Sequence, residues 1–218
     1  MSNSINILST KTLLQSQKQL FFDKKFCVTE KDFIQIKNKD FEVKQINDNL
    51  IFSSQNAVES VLKYPELKSK SVFCVGLKTK KILEKNGFKV LVYNEYAADL
   101  AEIITSIYND ESFTFFCGNI RRDELPNVLT KNNITFNEIT VYETNLKPYK
   151  VEHKIDALLF FSPSAVNSFL ESNIITNEIC FCIGTTTAKA LENKAKNIVI
   201  ASQPSVENVI TEVIKYYK

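Results

Sequence analysis

The sequence predicts an α/β protein: two similar parallel-sheet α/β domains joined by a two-stranded extended linker, with the active-site cleft between them. Three observations carry this. The chain matches itself at a fixed offset of 108 residues without a gap: Ile51–Leu62 (IFSSQNAVESVL) lies over Leu159–Leu170 (LFFSPSAVNSFL), and Val72–Asn86 (VFCVGLKTKKILEKN) over Cys180–Lys194 (CFCIGTTTAKALENK). Thirteen of these 27 aligned pairs are identical, against roughly one in fifteen expected from ordinary composition. An offset this long is no solenoid period, so a half-protein has been duplicated. Apolar runs then alternate with helix-period segments, the pattern of parallel sheets with helices on both faces. Finally, 41–46 (FEVKQI) and 138–145 (EITVYETN) alternate or run β-branched with no helix directly attached, as paired connector strands between domains would.

In chain order, the apolar runs place strands at 5–9, 25–28, 50–53, 71–75, 88–92, 112–117, 155–161, 178–183 and 196–200. The 3.6-residue period places helices at 12–21, 56–63, 78–86, 97–108, 121–131, 164–171, 186–194 and 205–217. The last is the clearest: Val206, Val209, Ile210, Val213, Ile214 and Tyr217 share one face behind a Pro204-Ser205 cap. The chain is expected to open in one domain (1–40, completed by 146–218), cross at 41–46, build the other (47–137) and return at 138–145. Extending the self-match backwards sets FTFFCG (113–118) over INILST (5–10), which keeps the pattern but almost no identity.

Composition narrows the function classes. Of 218 residues, 44% are hydrophobic, enough for a sizeable core, and the net charge of +2 does not mark a nucleic-acid surface. No apolar run approaches a bilayer span, and the first residues lack a charged segment followed by a long apolar one, so no membrane association and a cytoplasmic location are expected. The five cysteines, Cys27, Cys74, Cys117, Cys180 and Cys182, lie in apolar strand-like runs and are expected to be buried reduced thiols. The one histidine, His153, sits in a Lys-rich connector, which argues against catalytic zinc or a Ser-His-Asp triad.

In parallel α/β sheets, ligands bind beyond the carboxyl ends of the strands, where loops feed helix N-termini. Six such loops are legible: Ser9-Thr10-Lys11, Ser53-Ser54-Gln55-Asn56, Gly76-Leu77-Lys78-Thr79, Gly118-Asn119-Ile120-Arg121, Ser162-Pro163-Ser164 and Gly184-Thr185-Thr186-Thr187. Each taken singly also fits plain helix capping. Together, their hydroxyls and free backbone N–H groups suit carboxylates or phosphates. Neither GxxxxGK[ST] nor GxGxxG occurs, so no nucleotide phosphate cradle is indicated.

At these loops the chain resembles a known family. IFSSQNAV and FFSPSAV resemble the paired FTSPxAV segments of uroporphyrinogen-III synthases, and CIGTTTAKALE resembles their IGPTTAxAL loop. FFCGNIRRDEL is similar to the family's glycine-containing segment ending in Arg-Asp-x-Leu, and VYET to its VYxT connector. The likeness runs in order from about residue 5 to 214. It departs at Lys11 and Thr12, where the family has Thr-Arg-Pro, at Gln55, and at Thr185 in place of a proline. Lys11 keeps a cation but loses the planar fork of arginine.

The resemblance implies a cyclising hydro-lyase of haem biosynthesis. Its substrate is the linear tetrapyrrole hydroxymethylbilane, and its product is uroporphyrinogen III, with ring D inverted. The pyrroles supply the electronics, so no metal or organic cofactor is implied. Tyr142 becomes the candidate acid for the departing hydroxyl. Thr10, Lys11, Ser53, Ser54, Asn56, Thr79, Gly118, Arg121, Ser162, Ser164, Thr185, Thr186 and Thr187 become candidate substrate-binding positions. Of Arg121 and Arg122, one is expected to face carboxylate and the other to pair locally, with Arg121 preferred for the substrate. A monomer acting on a small molecule, without nucleic acid or membrane, is the expected form. The alternative is a non-catalytic two-domain clamp that binds a tetrapyrrole or another polycarboxylate. A two-lobed solute-binding protein and a receiver-type phosphoacceptor fit less well, the latter because the strand ends carry Ser or Gly where it wants Asp.

Overall fold

The computed structural model describes residues 4–22, 25–43 and 45–218. In chain order its strands and helices are β1 (Ile5–Ser9), α1 (Gln15–Lys18), β2 (Phe26–Glu30), β3 (Ile34–Asn38), β4 (Asn49–Phe52), α2 (Gln55–Val61), β5 (Ser71–Val75), α3 (Leu77–Lys85), β6 (Lys89–Asn94) and α4 (Ala97–Ile107). They continue with β7 (Ser112–Gly118), α5 (Glu124–Lys131), β8 (Thr135–Leu146), β9 (Ala157–Phe160), α6 (Pro163–Leu170), β10 (Ile179–Cys182), α7 (Thr185–Lys189), β11 (Asn197–Ile200) and α8 (Val206–Tyr216). Two compact units result: residues 1–35 with 145–218, and residues 36–144. Among the described residues, no helix is long and apolar enough to cross a membrane.

The first unit holds a five-stranded sheet in the order β11-β10-β9-β1-β2, with every neighbouring pair parallel. Its central strand β9 is buried along its whole length, and its side chains alternate between two cores. Leu158 and Phe160 enter a cluster with Phe33, Val166 and Phe169, while Ala157 and Leu159 enter another with Phe181, Val209 and Val213. That alternation is the two-residue period of a strand covered by helices on both faces. Helix α8 closes the second cluster with Val209, Ile210 and Val213 buried, and Ser205 caps it by accepting the Asn208 N–H at 3.2 Å.

The second unit holds a six-stranded sheet in the order β3-β8-β7-β4-β5-β6. The β4–β5, β4–β7, β5–β6 and β7–β8 pairs run parallel. Strand β4 divides in the same way: Leu50 and Phe52 enter one cluster and Ile51 the other. The duplication preserves which face each residue serves. Phe52 and Cys74 sit in the cluster that covers Val58, as Phe160 and Cys182 sit with Val166.

The structure differs from the sequence reading at several elements. The segment 41–46 is not a strand over its described residues; the strand beside β8 is β3 at Ile34–Asn38. Phe41, Val43 and Ile46 instead pack onto the core, with Phe41 against the rings of Tyr64 and Phe116. Their alternation therefore reports burial without a ladder. The helices expected at 12–21 and 186–194 shorten to α1 and α7, and a 3-10 turn appears at Pro65–Ser69. Cys74, Cys117, Cys180 and Cys182 are buried, but Cys27 is exposed because β2 is an edge strand with alternating exposure.

Candidate functional site

In the second unit the loops after β4, β5, β6 and β7 gather at the carboxyl end of the sheet. A pocket of about 330 Å³ opens there. Ser53, Ser54, Gly118, Arg121 and Tyr142 line it, with Val75, Tyr96, Phe115, Ile120 and Leu125 as its apolar wall. Thr79 and Asn56 lie on neighbouring turns but do not line it. Thr79 is buried at the start of α3, whose N-cap Gly76 has φ 88°, a backbone conformation that only glycine adopts without strain. No side chain caps that helix.

Tyr142 reaches the pocket from β8. Cys117 pairs with Thr140, but Gly118 pairs with Tyr142, so β8 carries one extra residue at this point. The resulting bulge lets Val141 and Tyr142, adjacent in sequence, both pack on the same core cluster, which strict alternation forbids. The phenol ring then lies flat against Gly118. A Cβ at Gly118 would sit 2.6 Å from Tyr142 Cε2, 2.8 Å from its Oη and closer still to Cζ. The phenol donates to Ser54 Oγ at 3.1 Å.

The two arginines separate clearly. Arg121 pairs with Asp123 and, at 2.7 Å, with Glu138, and these carboxylates, Glu138 first, raise its already high pKa further. Arg122 is exposed on the pocket wall and has no hydrogen bond or ion pair among the described residues. In sequence, adjacent arginines before a helix cannot be told apart without their partners, and the expectation of Arg121 as the substrate contact carries that ambiguity. The apolar wall, where Tyr96 and Ile120 stand 71% and 54% exposed beside polar groups, is not among the residues expected from sequence. Large exposed apolar side chains in those loops were the available signal.

In the first unit the corresponding loops also lie at strand carboxyl ends. Thr10 is buried, and its hydroxyl donates to the Leu159 carbonyl at 2.6 Å, tying β1's loop to β9. Lys11 is exposed, with Nζ 5.9 Å from the centre of the Phe161 ring. Ser162 caps α6, accepting the Ala165 N–H at 3.1 Å. Ser164 is half-buried, Thr185 exposed, Thr186 half-buried and Thr187 buried behind Gly184. No hydrogen bond from the Thr79 or Thr187 side chain is present among the described residues, although the two occupy equivalent positions of the repeat.

A larger groove of about 1030 Å³ lies at the opposite, amino end of the first unit's strands, lined by Lys150, His153, Lys154, Asp156 and Glu178 among others. Its carboxylates serve the fold. Asp156 accepts from the Asn6 N–H at 2.9 Å, and Glu178 holds the Thr176 and Asn177 amides at 2.7 and 3.0 Å. Size alone therefore does not make it the site; the convergence of hydroxyls, arginine and phenol favours the smaller pocket. Among the described residues, no group of three His, Cys, Asp or Glu is placed to hold a metal ion.

The fold recurs in known proteins. The chain aligns with a crystal structure of uroporphyrinogen-III synthetase from Helicobacter pylori at a TM-score of 0.74 and 21% identity, covering 97% of this chain and 99% of that one. A mutant uroporphyrinogen III synthase from Thermus thermophilus aligns at 0.70 and 12%, over 98% and 99%. At these identities the likeness speaks for the fold. In sequence, a uroporphyrinogen-III synthase of Chlorobaculum parvum is 28% identical over 195 residues, 76% of this chain and 79% of that relative. The family model described as uroporphyrinogen-III synthase HemD matches residues 28–211. The chain belongs to the uroporphyrinogen-III synthase family.

Proposed function

We propose that the protein cyclises hydroxymethylbilane to uroporphyrinogen III with loss of water, acting as a cytoplasmic monomer in tetrapyrrole biosynthesis. The observation that carries the residue assignment is the Tyr142 phenol, seated in the strand-end pocket of the second unit beside an uncommitted arginine. The hydroxymethyl C–O bond breaks with its electron pair leaving on oxygen. That oxygen takes the Tyr142 proton and departs as water, while the adjacent pyrrole nitrogen stabilises the azafulvene. Ring D attacks through its substituted carbon, and the spiro product fragments and recloses. The proton lost as the last pyrrole regains aromaticity restores the phenol. Pyrrole electrons drive each bond change, so the chain's task is to fold the substrate and supply one proton.

The substrate carries acetate and propionate groups, and the loops offer partners for them. We assign Arg122 a carboxylate contact in preference to Arg121, because Asp123 and Glu138 already occupy the Arg121 guanidinium. Thr79 in the second unit, and Lys11, Ser164, Thr185, Thr186 and Thr187 in the first, are assigned hydrogen bonds or charge contacts to the same groups. Ser53 and Asn56 extend that set at the start of α2. Thr10 and Ser162 hold the loops in shape through the hydrogen bonds described above. Tyr96 and Ile120 offer apolar surface to pyrrole faces.

Supplying hydroxymethylbilane and resolving the porphyrin isomers after oxidation tests this reading. Type III product formed faster than spontaneous type I is the expected result. Tight tetrapyrrole binding with only type I product would instead establish the non-catalytic clamp.

A further inference from the structure

We infer that Ser54 and Gly118 are positioning residues for Tyr142 and not substrate contacts: one hydroxyl and one missing side chain hold the phenol where it delivers its proton. The inference rests on Tyr142 being the acid. Three observations on different elements converge on it. The bulge between Cys117 and Gly118 turns Tyr142 onto the pocket side of β8. Gly118 then leaves the space in which the ring lies, since any Cβ there would fall within 3 Å of the ring and its oxygen. At the tip of the ring, Ser54 Oγ stands 3.1 Å from the phenol oxygen.

The duplication supplies an internal control. Ser162 is the copy of Ser54 at the same place before the equivalent helix, and its hydroxyl caps that helix through the Ala165 N–H. Ser54 makes no such cap. Its hydroxyl has been released from capping and engages Tyr142 instead, although α2 begins with the same extended backbone at its N-cap. A serine hydroxyl both accepts and donates. It accepts from the phenol in the resting state, and after rotation it donates to the phenolate left when the proton moves to the departing oxygen. The charge that develops on Tyr142 thereby meets a donor already in place.

The experiment is a double-mutant cycle on hydroxymethylbilane turnover. Ser54→Ala should lower kcat roughly tenfold with KM little changed, as expected for losing a hydrogen bond to a developing charge. Ser54→Thr, which keeps the hydroxyl, should recover most of the rate. In a Tyr142→Phe background Ser54→Ala should cost nothing further, since the group it serves is gone. Gly118→Ala should match Tyr142→Phe in rate and add nothing to it; should that variant fail to fold, the serine cycle decides alone. Two results overturn the inference by itself: Ser54→Ala that raises KM at unchanged kcat, or a loss of the same size in both backgrounds with Tyr142→Phe slow. If Tyr142→Phe runs at the wild-type rate, the acid assignment falls and takes this inference with it.

Discussion

At the scale of single residues, the site is decided by which polar groups are already committed. Thr10, Ser162 and Arg121 were all legible as candidates from their loops, yet each satisfies a local partner: a carbonyl, a helix amide, two carboxylates. Arg122 has no such partner among the described residues. Arg122→Ala should therefore weaken substrate binding by about 1.5–3 kcal/mol, the range for hydrogen bonds to charged groups, and leave thermal stability unchanged. Arg121→Ala should do the reverse, with a small stability loss of up to about 1 kcal/mol for exposed pairs and little change in KM. Steady-state kinetics and thermal denaturation of both variants separate the two roles. The Tyr142–Ser54 contact was not legible because the partners lie 88 residues apart, and nothing in either local pattern points to the other.

At the scale of elements, period and burial made most strands and long helices readable, and they failed where local pattern and hydrogen bonding part company. The alternation at 41–46 reflects core packing by Phe41, Val43 and Ile46 rather than a ladder. β3 was missed because its pattern is mostly exposed, with only Ile34 partly packed on a core. The register slip in β8 could not be read at all, since a bulge is defined by the partner strand. The repeat also assigns different work to equivalent helix starts. Ser162→Ala should destabilise the first unit by about 1 kcal/mol through loss of a cap, whereas Ser54→Ala removes no cap from α2 and should cost less, because the half-buried Tyr142 phenol it releases can turn to water. Denaturant unfolding of the two variants checks this asymmetry. Gly76→Ala is expected to cost more than 1 kcal/mol, because φ 88° is strained for any residue with a Cβ.

At the scale of the whole molecule, the duplication made the architecture legible: two units, each built on a run of parallel strands with a core on either face, and matching residues on matching faces. Burial on those faces makes most thiols inert. The thiols of Cys74, Cys180 and Cys182 are pushed up to about 12 by burial, and Cys117 is raised for the same reason. Alkylation of the native protein near pH 8 should therefore modify Cys27 alone, and mass spectrometry of the digested adduct reads this directly. Acid stability has a local source as well. Burial pushes Asp156 up, but the Asn6 amide and Lys154 outweigh it, so the net pKa lies below the ordinary 3.8. The stability this contributes is complete above that ordinary value and is lost as pH falls through the lower folded one. Asp156→Asn should thus cost about 1–2 kcal/mol at neutral pH and flatten the acid limb of the unfolding curve below about pH 4. The measurement that bears most directly on the central claim is isomer-resolved turnover of hydroxymethylbilane by the wild type and Tyr142→Phe, compared from mildly acid to mildly alkaline pH. The wild type should give type III product; the variant should turn over about 10–100-fold more slowly, the low end of general-acid catalysis or less. Its type I fraction should also be larger, because spontaneous cyclisation then competes. A Tyr142→Phe protein that keeps wild-type turnover and type III selectivity across that range would contradict the account and leave positioning by the loops to carry the rate.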